Sequence, residues 1–151
     1  RMKPEELARF SKKDWLIRFV DMPPRQLTIE IARRRGAQWY QLRSGRYLLC
    51  KDHGDYFVPG ATRVEWPDPL PADYLLDEFP DWGSDSNAAI QLALELREQQ
   101  GDPNRLLLET DEEGRRRWLA MFRKCHAYAW GDTPSEALCR AYLLAYEYYN
   151  D

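Results

Sequence analysis

The chain has 151 residues, of which 44% are apolar and 31% charged, with a net charge of −3. That length and composition suit a single folded domain with its own core and exclude a disordered chain. No apolar run approaches the length of a membrane span and no signal peptide is visible, so a cytoplasmic protein without a membrane partner is expected.

Taken in order, the chain opens with Lys3-Pro4-Glu5-Glu6-Leu7. Pro4 and two early acids suit a helix start, with Leu7, Phe10 and Leu16 turned inward. Pro23-Pro24 breaks whatever precedes it. Arg25 to Arg35 then reads as a helix, with Leu27, Ile31 and Ala32 on one side and Gly36 as its stop. Trp39-Tyr40-Gln41-Leu42, Ser44-Gly45 and Tyr47-Leu48-Leu49-Cys50 form a β-hairpin pattern. Asp52-His53-Gly54-Asp55 is another turn, and Tyr56-Phe57-Val58 a third strand.

Regular structure is expected to stop over residues 59–83. Pro59, Pro67, Pro69, Pro71 and Pro80 deny a continuous helix or central strand. Trp66, Tyr74, Leu75, Leu76, Phe79 and Trp82 are too apolar for a disordered linker. The stretch reads as a long ordered connection with one helical turn at Ala72 to Glu78. Ser84 or Ser86 then caps a helix running to Gln100, and Gly101 ends it. Ala89, Leu92, Ala93 and Leu96 give that helix a buried stripe.

Arg105 to Asn150 is the most readable part. Leu106-Leu107-Leu108 and Trp118-Leu119-Ala120-Met121-Phe122 are apolar runs around the turn Asp111-Glu112-Glu113-Gly114. Thr133, Pro134 and Glu136 then make a capping box with proline at the first helical position. Leu138, Ala141, Tyr142, Ala145 and Tyr149 follow helical spacing. Glu136, Arg140 and Glu147 mark the wet face, with Glu136 and Arg140 as an i,i+4 pair. Leu143 falls within that wet stripe.

The run His126-Ala127-Tyr128-Ala129, followed by Gly131-Asp132-Thr133-Pro134-Ser135-Glu136-Ala137-Leu138-Cys139-Arg140-Ala141-Tyr142-Leu143, resembles the end of the phage ABA sandwich domain. That family ends in a strand, an Asp-Thr-Pro turn and a helix of the type Ala-Ile-Cys-Arg-Ala; Leu138 stands where Ile is usual. The resemblance covers roughly the last 65 residues well and the first 60 loosely. It implies a helix–sheet–helix sandwich and a phage or prophage origin, and it implies no activity. The expected fold is α+β, one domain over residues 1–151, with an antiparallel sheet sandwiched between helices.

Charge is unevenly spread. Residues 1–63 carry 14 Lys/Arg against 7 Asp/Glu, whereas residues 64–104 carry 1 against 10. Aromatic rings interleave with the acids at Tyr74, Asp77, Glu78, Phe79, Asp81 and Trp82. Acids beside aromatic anchors suit contact with a basic protein surface; the phage origin that the resemblance implies makes that partner a host protein, in a host-defence setting. The plainer alternative is a loop whose rings pin it to the core. A second class of function is a binder of a small nucleotide, with Arg33, Arg34 and Arg35 taking phosphate and Trp39 and Tyr40 stacking a base. The third is a small enzyme of unknown type.

No catalytic residue, cofactor or metal is assigned. Cys50, Cys125 and Cys139 are odd in number and far apart, which fits reduced thiols. Cys125 and His126 are adjacent, but neighbours on a strand point to opposite faces, which works against a thiol–imidazole pair. Asp52, His53 and Asp55 could ligate a metal or act as acid and base, but a charged hairpin turn explains them more simply. The histidines and cysteines show no CxxC or HxxxH spacing, which argues against zinc.

Overall fold

The computed structural model describes residues 19–55 and 60–150. The expected first helix, with Leu7, Phe10 and Leu16, and the strand at Tyr56-Phe57-Val58 lie outside the described residues. The described chain is α+β, as the sequence implies, but its strands form two sheets rather than one. It divides into two compact units: Thr28–Asp81, and Trp82 onward together with the stretch ending at Leu27.

Helix α1 (Pro24–Arg34) crosses that boundary. Proline at its first position sacrifices no helical hydrogen bond, and Gly36, at φ 86°, takes the left-handed conformation that ends it. Thr28 and Ile29 are buried along with Leu27, Ile31 and Ala32, so the apolar side is wider than the expected stripe.

The smaller unit holds strands β1 (Ala37–Leu42), β2 (Tyr47–Lys51), β3 (Ala61–Val64) and β4 (Tyr74–Leu76) in the order β3-β1-β2-β4. The β1–β2 hairpin is antiparallel, with Gln38 opposite Cys50 and Tyr40 opposite Leu48. β3 adds antiparallel to β1, and β4 adds parallel to β2. Two of these strands fall where the prolines argued against regular structure. The correction has a simple cause: both are short edge strands, and the prolines flank them without interrupting them. Ala72 to Glu78 therefore holds a strand, not a helical turn.

Tyr40, Leu48 and Cys50 share one face with Leu42, Ala61 and Leu75 and pack together there. The other face carries Trp39, ringed by Tyr47, Trp66 and Tyr74 in edge-on contacts at centroid distances of 6.1, 5.8 and 5.4 Å. Trp39 Nε1 is a buried N–H with no hydrogen-bond partner among the described residues.

The larger unit holds α2 (Ser86–Gln100), β5 (Asn104–Thr110), β6 (Arg116–Phe122), β7 (Ala127–Gly131) and α3 (Pro134–Asn150). Asp85, not a serine, caps α2 by accepting from Ala88 N at 3.2 Å, and Gly101 closes it in the left-handed conformation. Ala89, Leu92, Ala93 and Leu96 are buried as their spacing predicts. β5-β6-β7 is an antiparallel meander. Ala120, Phe122, Ala127, Ala129 and Gly131 lie on one face and are buried. α3 packs on β6 and β7, and α2 packs beside α3. Small residues at the end of β7 let the chain turn tightly: a Cβ on Gly131 would meet Ala137 N at 2.4 Å.

The cap of α3 forms as expected, with one shift. Glu136 N donates to Thr133 Oγ1 at 3.2 Å, and Glu136 Oε2 accepts from Asp132 N, one residue before the usual partner. The wet face of α3 needs correcting. Leu143 is completely buried and Arg140 is 6% exposed. Arg140 donates to the carbonyls of Phe19, Trp130 and Met22 at 2.9, 2.9 and 3.0 Å, and it keeps Glu136 at 3.5 Å. Helical periodicity counts only the helix's own turns; it does not see a chain segment laid across the polar stripe.

Candidate functional site

Three reactive side chains meet at the end of β2 in the smaller unit. Cys50 is the penultimate residue of β2, His53 sits in the turn that follows, and Glu78 comes just after β4. Parallel pairing of β4 with β2 brings Glu78 alongside, because Asp77 N continues the ladder to Leu49 O at 3.1 Å. The Cys50 sulfur, a His53 nitrogen and a Glu78 oxygen all lie within 4.8 Å of one another. Cys50 is completely buried, whereas the side chains of His53 and Glu78 are 35% and 30% exposed. The thiol is thus the floor of the cluster, and the imidazole and carboxylate form its rim.

Each rim residue is held by its neighbours. Glu78 sits at φ 67°, a left-handed conformation that costs a residue with a Cβ. Its Oε2 accepts from Lys51 N at 3.2 Å and contacts His53 Nε2 at 2.6 Å. The His53 backbone N donates to Tyr40 Oη at 2.9 Å, and that hydroxyl donates to Gly54 O at 2.9 Å. A fully buried tyrosine therefore pins the turn carrying His53.

The electrostatics are one-sided. Burial is the main reason the Cys50 thiol is pushed up to about 12, and Glu78, Asp77 and Asp52 add to it. The hydrogen bond with His53 holds the Glu78 carboxyl below its usual value. A thiol this strongly protonated is a poor nucleophile, so the cluster is not a ready-made catalytic dyad. Its donors, sulfur, imidazole nitrogen and carboxylate oxygen, are those that bind a borderline-soft divalent cation.

The sequence points at none of this directly. Asp52, His53 and Asp55 do form a turn, with Asp52 Oδ1 accepting from Gly54 N at 2.9 Å and Oδ2 accepting from Arg63 at 3.2 Å. The available signal was Cys50-Lys51-Asp52-His53, a CxxH spacing at a strand end. Glu78 lies 25 residues on from His53, and only the parallel strand brings it back.

The predicted partner-binding residues split. Tyr74 lies in β4 against Trp39, and Phe79 is half-buried. Trp82 is 4% exposed and is a core residue of the larger unit, so it is not a surface anchor. Asp77 and Asp81 are exposed, Asp81 accepting from Thr28 Oγ1 at 2.7 Å. Glu78 belongs to the thiol cluster.

The nucleotide-binding candidates do not assemble into a platform. Trp39 and Tyr40 are both completely buried and face opposite sides of the sheet. Arg33 lies over the Trp66 ring at 4.9 Å, Arg34 pairs with Glu30 at 2.8 Å, and Arg35 is exposed. An open cleft of about 460 Å³ runs beside Trp66, lined also by Gln38, Asp55, Arg63, Val64 and Glu65. Cys125 and His126 diverge: Cys125 is buried, its thiol pushed up to about 12 chiefly by burial, while His126 is exposed in the turn at φ 58°.

No described helix is long and apolar enough to cross a membrane. No family model, curated protein or solved structure matches the chain.

Proposed function

We propose that this chain is a non-enzymatic binding protein that engages a basic surface on a protein partner. The observation that carries this reading is the set of exposed carboxylates on either side of β4, Asp68 and Asp73 before it and Asp77 and Asp81 after it, of which Asp73 is paired with Arg46 at 3.2 Å. Long-range attraction from such a set speeds encounter with a basic partner. The rings of Tyr74 and Phe79, half-buried beside the acids, add apolar contact; Trp82 does not take part. The resemblance of the chain's end to the phage ABA sandwich domain supports a phage or prophage accessory protein acting in the bacterial cytoplasm, with a host-defence protein as the target. The nucleotide alternative has less support, because it asks two buried rings to stack a base.

Capture from a bacterial host lysate tests the reading, run with the wild-type chain and with Asp68→Lys/Asp73→Lys/Asp77→Lys side by side. A protein held by the wild type, released by salt and lost from the triple variant supports it. An identical set of proteins on both chains overturns it. Mass spectrometry of small molecules released on denaturation separates the alternative: a nucleotide released from the wild type would replace the protein-binding reading.

A further inference from the structure

We propose that Cys50, His53 and Glu78 form a zinc site with three protein ligands and an open fourth position. The site adjoins the acidic stretch, since Glu78 N donates to Asp77 Oδ1 at 2.9 Å, but none of its three ligands is among the carboxylates that carry the proposed function. Sulfur, imidazole nitrogen and carboxylate oxygen converge from a strand end, a turn and the segment just after a second strand, all within 4.8 Å. Zinc takes these three donor types and prefers four-coordinate geometry. Bonds of about 2.0–2.3 Å at tetrahedral angles set ligand atoms roughly 3.3–3.6 Å apart. The widest pair must therefore close by at most about 1.3 Å, and the 2.6 Å contact between His53 and Glu78 must open by about 0.7 Å. Small rotations of two partly exposed side chains suffice.

Charge supports the same conclusion. Burial first, and then the negative charges of Glu78, Asp77 and Asp52, disfavour a bare thiolate at Cys50. A divalent cation reverses the field of those charges; the thiol proton passes to solvent as the S–Zn bond forms, and the proton held between His53 Nε2 and Glu78 Oε2 leaves that contact as both atoms turn to the cation. The partial exposure of His53 and Glu78 leaves an entry route, and water fills the fourth position. Two of the ligands are already supported: Lys51 N donates to the Glu78 carboxylate, and Tyr40 Oη accepts from the backbone N of His53. The left-handed backbone at Glu78 has a reason on this reading, since it aims the carboxylate back across β2.

Cobalt(II) is the probe, added to the chelator-treated full chain, with zinc then added in competition. One equivalent should raise a thiolate-to-cobalt charge-transfer band in the near ultraviolet, and one equivalent of zinc should abolish it. Cys50→Ser should remove the band. His53→Gln and Glu78→Gln, both at the exposed rim, should keep the fold and weaken cobalt binding at least about tenfold. They carry the test if the buried Cys50 variant does not fold. A wild-type chain that gives no band with excess cobalt overturns the proposal. So does a band of unchanged affinity in both rim variants, which would mean a lone thiol capturing metal.

Discussion

Polar groups are treated in opposite ways at two places in this molecule. In the larger unit, charged groups are buried and closed off by backbone. Asp102 is completely buried and accepts from Lys124 N at 2.7 Å, Cys125 N at 3.1 Å and Tyr149 Oη at 2.7 Å. Arg140 spends its donors on three carbonyls. In the smaller unit, the Cys50–His53–Glu78 cluster is half-open, and its side chains face one another across a rim. A buried charge whose partners are backbone groups ties chain segments together. The rim of that cluster, the partly exposed side chains of His53 and Glu78, holds little that the fold needs. The comparison predicts that loss of the first kind costs stability and loss of the second costs ligand binding.

The largest effect should come from Asp102→Ala. It strands the buried N–H of Cys125, the part-buried N–H of Lys124 and the Tyr149 hydroxyl, in the turn between β6 and β7 and at the end of α3. Hydrogen bonds to a charged group contribute about 1.5–3 kcal/mol each, and orphaned donors add to the loss, so about 3–5 kcal/mol is expected. Arg140→Met keeps the apolar stem but removes the guanidinium donors from the Met22 and Trp130 carbonyls and leaves Phe19 O with Met22 N alone, for about 2–3 kcal/mol. Urea midpoints measure both. A loss below about 1 kcal/mol at either site would mean that water replaces the side chain and the contrast with the smaller unit fails.

Alkaline titration extends the comparison to the thiols. Cys50 and Cys125 are both pushed up from 9.0 to about 12, so each holds its proton in the folded chain where an unfolded thiol releases it. The stability this contributes is fully present below pH 9 and is lost as pH rises through 9 toward 12. The denaturation midpoint should therefore fall over that window, and less steeply in Cys125→Ala. Zinc should flatten the Cys50 share, because the bound sulfur has already given up its proton.

Thr133→Ala is a smaller and more local test, at about 1 kcal/mol for one helix cap. It bears on what the sequence could and could not reveal. The α3 cap, the α2 stripe, the β1–β2 hairpin and the β5–β6 hairpin all rest on contacts between residues close in the chain, and spacing alone exposes them. β3 and β4 were hidden because proline-rich flanks mask short edge strands. Arg140 and Asp102 were hidden because their partners lie 10 to 121 and 22 to 47 residues away. The thiol cluster combines both cases. Cys50 and His53 are a legible CxxH, but Glu78 arrives only through a parallel strand of three residues.

The smallest stability effect, and the sharpest use of the comparison, is expected from Glu78→Gly. Glycine takes φ 67° without the steric cost that glutamate bears there. Against that gain stand the contacts to His53 and Lys51 N, which are partly exposed and screened by water. In metal-free buffer the variant should unfold at the same denaturant concentration as the wild type or at a higher one. In the presence of zinc the order should reverse, because only the wild type gains the stability that a bound cation confers. A Glu78→Gly chain clearly less stable than wild type in chelator would show that Glu78 locks the fold much as Asp102 does. Unchanged stabilisation by zinc in the variant would remove Glu78 from the ligand set. The two outcomes are read on the same instrument in two buffers, so the structural and the metal-binding roles of one carboxylate can be told apart.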